Sequence, residues 1–331
     1  MPMTSPDPLD RAMALAAQGS VVPAYRLLEQ AMTAGDGLAA GTLAEWRMAG
    51  HLVRRDIGLA RDLFGRAAEL GLREALPMHV ALLASGAGGK GRDWARAREL
   101  LAKSASSDPQ AARQAALLDG MTLTEAGDPA GLPRLEPLNE RPFVARAPGF
   151  LAAEECRYLT ELAQPYLQPS VVVDPVSQRF ITDPVRLARS AGFPFVLENP
   201  VLHALNRRIA TLTQTRYEQG EPLQVLSYRA GEQYKLHSDV LPGPVNQRVL
   251  TVLVTLTDDF TGGETEFPDL GIRWRGQVGE ALVFANVDER GHPAPTARHA
   301  GKPVVAGTKT ILSKWIRQAP LDISGPPGRP L

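Results

Sequence analysis

Two of the six histidines stand where metal chemistry is possible. His237-Ser238-Asp239 places an imidazole and a carboxylate two residues apart. In an extended segment such residues point to the same face. His299, 62 residues later, can supply a third ligand from another strand. Two imidazoles and one carboxylate on one side of a metal leave the other side open, the facial arrangement of non-haem Fe(II) oxygenases. Iron suits such a site because its open positions can take a bidentate co-substrate and O2. His-x-Asp alone is a common accident of sequence, so the neighbours carry the argument. Lys309 follows His299 across the turn-forming stretch 301–307 and is expected on the next strand. Its ammonium could pair with the distal carboxylate of a 2-oxo acid whose other end chelates iron. Lys309, Ile311, Ser313, Trp315 and Arg317 alternate onto one strand face. Upstream of His237, Tyr228 and Tyr234 could donate hydroxyls or pack at the site mouth.

These residues need strands to carry them. β-Branched runs cover 223–228, 249–256, 271–274, 281–284, 303–305 and 310–316, separated by Gly, Pro and Asp clusters. Short strands at this spacing predict a sandwich or barrel, not a βαβ fold. Gly262-Gly263-Glu264-Thr265 reads as a tight turn opening into a strand. Amphipathic helices are predicted over 152–162 and 200–213. Only seven of the 28 prolines lie in the first 130 residues, so that third can be helical where the rest mostly cannot. It also repeats itself. The segment from Ala24 to Ala31 resembles that from Ala60 to Ala67 and that from Ala97 to Ser104, at offsets of 36 and 37 residues. Positions one, four, five and eight of each copy are apolar or small, one face of a helix. Asp56, Asp93 and Asp108-Pro109 stand where helix N-termini belong, and Gly71 where a C-terminal glycine belongs. A period near 36 with two helices per unit predicts an α-solenoid.

The 331 residues are enough for two domains. Lys+Arg and Asp+Glu are both 36, so no broad basic field is available for nucleic acid. Cys156 is the single cysteine, which excludes an internal disulfide framework, and it is expected on a helix face toward the core. No apolar run reaches membrane-spanning length, and the N-terminus lacks the pattern of a signal peptide. A cytoplasmic protein without membrane or nucleic-acid partners is the expectation. No P-loop, Rossmann glycine run or Gly-x-Ser-x-Gly elbow occurs. His292, within Glu289-Arg290-Gly291-His292-Pro293, is expected to be a loop residue.

Three ordered blocks resemble the prolyl 4-hydroxylase-like branch of the 2-oxoglutarate/Fe(II) dioxygenases. The first runs from Tyr228 through Gly231, Tyr234 and His237 to Asp239. The second joins Arg248-Val-Leu-Thr251 to Gly262-Gly263-Glu264-Thr265-Glu266-Phe267-Pro268. The third runs from His299 through Gly301, Pro303 and Gly307 to Lys309, ending in Lys314-Trp315-Ile316. The set covers 223–317. The resemblance implies a double-stranded β-helix (jelly-roll) barrel with iron held by His237, Asp239 and His299. It implies 2-oxoglutarate held by Lys309 and Tyr228, with Tyr234 and Trp315 on the substrate side. The implied cofactors are Fe(II), 2-oxoglutarate and O2, with ascorbate as a reductant. One departure is Thr255-Leu256, where the family often has an aromatic and leucine. Thr251 and Thr255 share a strand face there and are expected to contact the co-substrate. The helical third resembles tetratricopeptide-type, Sel-like repeats, which implies a surface for a peptide or protein, or a homodimer contact.

The expected class is therefore α+β and multidomain. Residues 1–130 form the helical repeats and 131–141 a linker. Residues 142–319 form the jelly roll with flanking helices, and 320–331 a flexible tail. The expected activity is hydroxylation of an unactivated C–H, of a peptidyl proline first. Another peptidyl residue, a free amino acid or other small metabolite, and an inactive repeat scaffold are the alternatives. The segment 174–190 corresponds to a region that often shapes specificity. A nucleobase demethylase is disfavoured, because the net charge is zero and the stretch Lys309-Thr-Ile-Leu-Ser-Lys-Trp lacks the Asn-x-Thr-x-Arg arrangement of that branch.

Overall fold

The computed structural model describes residues 7–173, 180–182, 185–243 and 245–322. The tail from 323 onward, and 174–179 and 183–184 of the variable segment, lie outside the described residues. The chain divides into two compact units.

The first unit runs to Asp128 and also takes in Phe195–Ala204. Its helices are α1 (Pro8–Ala17), α2 (Val21–Thr33), α3 (Gly37–Ala49), α4 (Ile57–Glu69), α5 (Leu76–Ser85), α6 (Trp94–Ser104) and α7 (Pro109–Gly120). Each packs on the next in chain order. The three sequence copies fall on α2, α4 and α6, so each repeat is a helix pair. Their first positions, Ala24, Ala60 and Ala97, are almost fully buried, as are Leu28, Phe64 and Leu101. Alanine there removes side-chain bulk between neighbouring helices. The helix starts follow from capping chemistry. Asp56 accepts from the Leu59 N–H, Asp93 from Arg96 and Asp108 from Gln110, with Pro109 in the first helical turn. Each cap contributes about 1 kcal/mol. Gly71, at φ +99°, closes α4 in a conformation L side chains avoid.

The second unit is a jelly roll. Its strands are β1 (Glu136–Asn139), β2 (Val144–Ala147), β3 (Gln168–Pro169), β4 (Val171–Val173), β5 (Phe180–Thr182), β6 (Arg189–Phe193), β7 (Leu223–Arg229), β8 (Tyr234–His237), β9 (Arg248–Thr255), β10 (Phe260–Gly262), β11 (Thr265–Phe267), β12 (Ile272–Trp274), β13 (Ala281–Ala285), β14 (His299–Gly301) and β15 (Val304–Arg317). The larger sheet has the order β1-β2-β13-β9-β15-β7-β6-β3, with β10 also on β15. A second sheet has the order β12-β11-β14-β8, and β4 pairs with β5. Every pairing is antiparallel. Phe267 and Trp274 from the smaller sheet meet Leu226, Leu253, Phe284 and Ile311 from the larger, and this cluster is the barrel core. Truncating a buried phenylalanine of this kind costs about 3–5 kcal/mol.

β9 is buried from Thr251 to Thr255 and β13 from Ala281 to Phe284. Two helices flank this unit. α8 (Ala153–Ala163) carries Cys156, which is buried as expected, and α9 spans Pro200–Leu212. The buried pair Glu155–Arg208 joins α8 to the second half of α9 through two bonds of 2.7 and 2.8 Å. The Glu155 carboxylate also accepts the Ala152 N–H at the start of α8.

Two elements differ from the sequence reading. The runs 303–305 and 310–316 form one strand, β15, because Gly307 bends within it at φ +78°. Before that bend β15 pairs with β10; beyond it, with β7 and β9. The stretch 131–141 includes β1, an exposed edge strand holding Pro137, which has no apolar alternation to reveal it. Among the described residues no helix is long and apolar enough to cross a membrane.

Candidate metal and co-substrate site

β8 and β14 bring the two histidines together, with His237 directly across from His299 in the ladder. Asp239 follows the end of β8 and is 5% exposed. One donor atom from each of His237, Asp239 and His299 lies within 4.8 Å of the others. His237 Nε2 is 3.5 Å from Asp239 Oδ1, and His299 Nε2 is 3.7 Å from Oδ2.

Backbone carbonyls set the tautomers. His237 Nδ1 lies 2.8 Å from Lys235 O, and His299 Nδ1 lies 3.1 Å from Ala297 O. A carbonyl only accepts, so both Nδ1 atoms carry a proton, and in the neutral ring, the form that binds a metal, each Nε2 presents its lone pair on the Asp239 side. His237 Nε2 is buried with no hydrogen-bond partner among the described residues. A buried, partnerless lone pair beside a buried carboxylate is costly unless a cation completes it. The residues present therefore fit a divalent metal. Burial disfavours the Asp239 carboxylate most strongly. His299, His237 and the Thr251 hydroxyl together outweigh it and hold the group below the usual carboxylate range. For His299, burial pushes the pKa down to about 4 against the pull of Asp239, so its imidazole is a neutral ligand. Phe267 and Phe284 wall its ring, at centroid distances of 5.3 and 4.6 Å.

Lys309 sits on β15 directly opposite Tyr228 on β7. It is 4% exposed, donates to Gly263 O at 2.6 Å, and lies 5.6 Å from the Tyr228 ring centroid. Gly263 belongs to the turn after β10, so that sequence signal marks the carbonyl that steadies the lysine. Burial lowers the amine to about 8, while Glu264 opposes the shift. An ammonium has three donors, and one is bound to Gly263. A single cavity is lined by the His/Asp/His set, Lys309, Tyr228, Tyr234, Ser313 and Trp315.

Tyr234 stacks flat on the His237 imidazole, with centroids 3.4 Å apart. Trp315 is 6% exposed, and the Arg248 guanidinium lies 3.9 Å over its ring. Glu221 holds that guanidinium at 2.6 and 2.8 Å. Neither Thr251 nor Thr255 lines the cavity. The Thr251 hydroxyl donates to Asp239 Oδ2 at 2.6 Å, and that of Thr255 to Arg275 O at 3.0 Å. Both hydroxyls are thus committed inside the protein rather than offered to a co-substrate. His292 is an exposed loop residue beside Asp288. Burial pushes the Cys156 thiol up to about 12, which removes it as a nucleophile. Asn286, buried beside Thr251, escaped the sequence reading because Asn-Val-Asp after a strand reads as a turn.

Residues 223–317 match the model of the 2OG-Fe(II) oxygenase superfamily. Over 188 residues the chain is 36% identical to prolyl 4-hydroxylase 1 of Arabidopsis thaliana, covering 51% of this chain and 66% of that protein. Over 215 residues it is 31% identical to prolyl 4-hydroxylase 2 of the same plant, covering 57% and 72%. The chain thus spans about two thirds of the length of these plant relatives. The solved structure of viral collagen prolyl hydroxylase vCPH from Paramecium Bursaria Chlorella virus-1, a 2OG complex, is 26% identical. That match covers 53% of this chain and 96% of the viral one, with a TM-score of 0.44. The jelly roll, its His/Asp/His set and the match to plant relatives converge: the chain belongs to the prolyl 4-hydroxylase family of 2OG-Fe(II) dioxygenases.

Proposed function

We propose that the protein hydroxylates a prolyl residue in a peptide or protein, using Fe(II), 2-oxoglutarate and O2. His237, Asp239 and His299 would hold the iron, and Lys309 would hold the distal carboxylate of 2-oxoglutarate. The observation that carries this reading is the shared cavity. It joins a partnerless imidazole lone pair to a buried ammonium with donors to spare. When bound, the iron and 2-oxoglutarate supply the oxidising power, releasing succinate and CO2.

The protein's own residues do the positioning. The Lys235 and Ala297 carbonyls hold the two Nδ1 atoms and so aim both Nε2 atoms at Asp239. Gly263 O restrains the Lys309 ammonium, so little side-chain freedom is lost when a carboxylate arrives. Tyr228, across the ladder, places its ring beside that ammonium. Leu226, Leu253 and Ile311 line the same space and keep it dry, which strengthens the charge pairing. Tyr234 and Trp315 form the wall on which a proline ring can pack. The relatives named above are called prolyl 4-hydroxylases, which favours proline over other residues. Stacked helix pairs of this repeat type build extended binding surfaces, which favours a peptide or protein over a small molecule.

The test supplies Fe(II), 2-oxoglutarate and O2 with a proline-rich peptide, and in parallel with free proline. The expected result is one added oxygen atom on a peptidyl proline for each succinate formed. Hydroxylation of free proline alone would overturn the peptide reading.

A further inference from the structure

Thr251 is 1% exposed and stands on β9 opposite Trp315 and Phe284. Its hydroxyl donates to Asp239 Oδ2 at 2.6 Å, while the Asn286 side-chain amide donates to Thr251 Oγ1 at 2.9 Å. The direction of this chain is forced. An ionised carboxylate only accepts, so the single hydroxyl proton must point to Asp239. Oγ1 is then left with lone pairs, so Asn286 must present its NH2 rather than its carbonyl. Asn286 is 2% exposed and is fixed by its backbone, which donates to Val249 O and accepts from Ala294 N. Each member of the chain is therefore immobilised by the next.

The two carboxylate oxygens of Asp239 are left unequal. Oδ2 accepts the threonine proton and lies 3.7 Å from His299 Nε2, whereas Oδ1, without that hydroxyl, lies 3.5 Å from the partnerless His237 Nε2. We propose that Thr251, aligned by Asn286, is a positioning residue that commits Oδ2 and leaves Oδ1 alone to bind the iron. This rests on the iron reading above and deepens it. One-oxygen binding matters for the arithmetic of a six-coordinate ion. One atom from each of His237, Asp239 and His299 would take three positions and leave three for the 2-oxo acid and O2. A carboxylate bound through both oxygens would take the place O2 needs. The device also moves Thr251 from the co-substrate side, where its spacing had placed it, to the metal side.

The test uses the full chain and Co(II), a probe that does not react with O2 on the assay timescale. Co(II) affinity and visible spectrum are measured alongside the thermal unfolding of metal-free protein. Thr251→Val, nearly isosteric but without a donor, should bind Co(II) about tenfold to a hundredfold more weakly and with an altered spectrum. Thr251→Ser keeps the proton and should recover most of the affinity, which a packing role for the methyl group would not produce. Asn286→Ala should weaken binding in an otherwise wild-type chain but add nothing on top of Thr251→Val, because it acts through that hydroxyl. The proposal is overturned by wild-type affinity and spectrum in Thr251→Val, by failure of Thr251→Ser to exceed it, or by additive effects in the double variant. If Thr251→Val does not fold, Asn286→Ala decides alone: unchanged affinity and spectrum would overturn the proposal. Failure of the iron reading looks different. In that case the wild-type chain itself would not bind Co(II), or would bind it equally well with His299→Ala.

Discussion

Lys309 is the residue whose ionisation is most exposed to experiment. Burial brings its amine down to about 8, so the charged form is disfavoured relative to solution. Below that pH the ammonium is present and can meet a carboxylate. Above it, binding must first take up a proton, so 2-oxoglutarate affinity should fall by up to about tenfold per pH unit. Lys309→Arg should bind more weakly at neutral pH, because a planar fork replaces a point charge, but should lose this pH dependence. Isothermal titration from about pH 7 to about pH 10 checks both. A flat wild-type profile would remove Lys309 from the co-substrate site. At this scale the sequence carried far. His237, Asp239, His299, Lys309, Tyr228 and Trp315 all line one cavity. Thr251 and Thr255 show where residue pattern stops. Period-two spacing correctly put both on one strand face, yet their hydroxyls are taken by Asp239 and Arg275 O. Hydrogen-bond partners 12 and 20 residues away cannot be read from alternation.

Among the elements, β15 shows how the chain aims that lysine. Gly307 sits two residues before Lys309 at φ +78°, and an added Cβ would lie 2.0 Å from Asp259 O. The glycine lets the strand leave β10 and join β7 and β9 without a break. Gly307→Ala must either adopt an unfavourable left-handed conformation, at about 1–2 kcal/mol, or push β10 away. We expect the melting temperature to fall by at least about 2 °C. The 2-oxoglutarate affinity should fall with it, while Co(II) binding, on β8 and β14, should change little. Wild-type melting would contradict the strain. The long apolar strands β7, β9 and β13 were legible because their β-branched runs exceed the noise of composition. The strands β8, β10, β11 and β14 hold three or four residues each, too few for periodicity, and β8 and β14 carry the two histidines. The residues on these short strands were singled out by side-chain type and by their resemblance to the family's ordered blocks, not by strand periodicity.

For the whole molecule, the repeat period gave the helix pairs, and Asp56, Asp93 and Asp108 gave the starts of α4, α6 and α7. What the period could not show is that Phe195–Ala204, remote in sequence, belongs to the same compact unit. The short turn Phe195–Leu197 packs on α5, and Val201, Leu202 and Ala204 are nearly fully buried. Long-range packing of this kind leaves no local pattern. It changes what truncation should do. A chain beginning at residue 129 keeps every cavity-lining residue but strips α1 to α7 from that segment. We expect it to aggregate, or to melt well below the full chain, rather than to yield a well-behaved barrel. Size-exclusion chromatography and thermal unfolding of the truncated chain decide it. A monodisperse fragment melting at the full-length temperature would show that Phe195–Ala204 does not depend on the repeats.

The central claim is that one cavity holds iron through His237, Asp239 and His299, with 2-oxoglutarate between that iron and Lys309. Anaerobic titration of the full chain with Fe(II) and 2-oxoglutarate tests it most directly, through the weak visible charge-transfer band of the chelate. We expect the band at one equivalent of each in the wild-type chain and no band in Asp239→Ala. In Lys309→Ala it should appear only at about tenfold to thousandfold higher 2-oxoglutarate, the cost of cutting one partner from a desolvated charge pair. A band of wild-type strength and midpoint in Asp239→Ala, or none in the wild-type chain, would contradict the account.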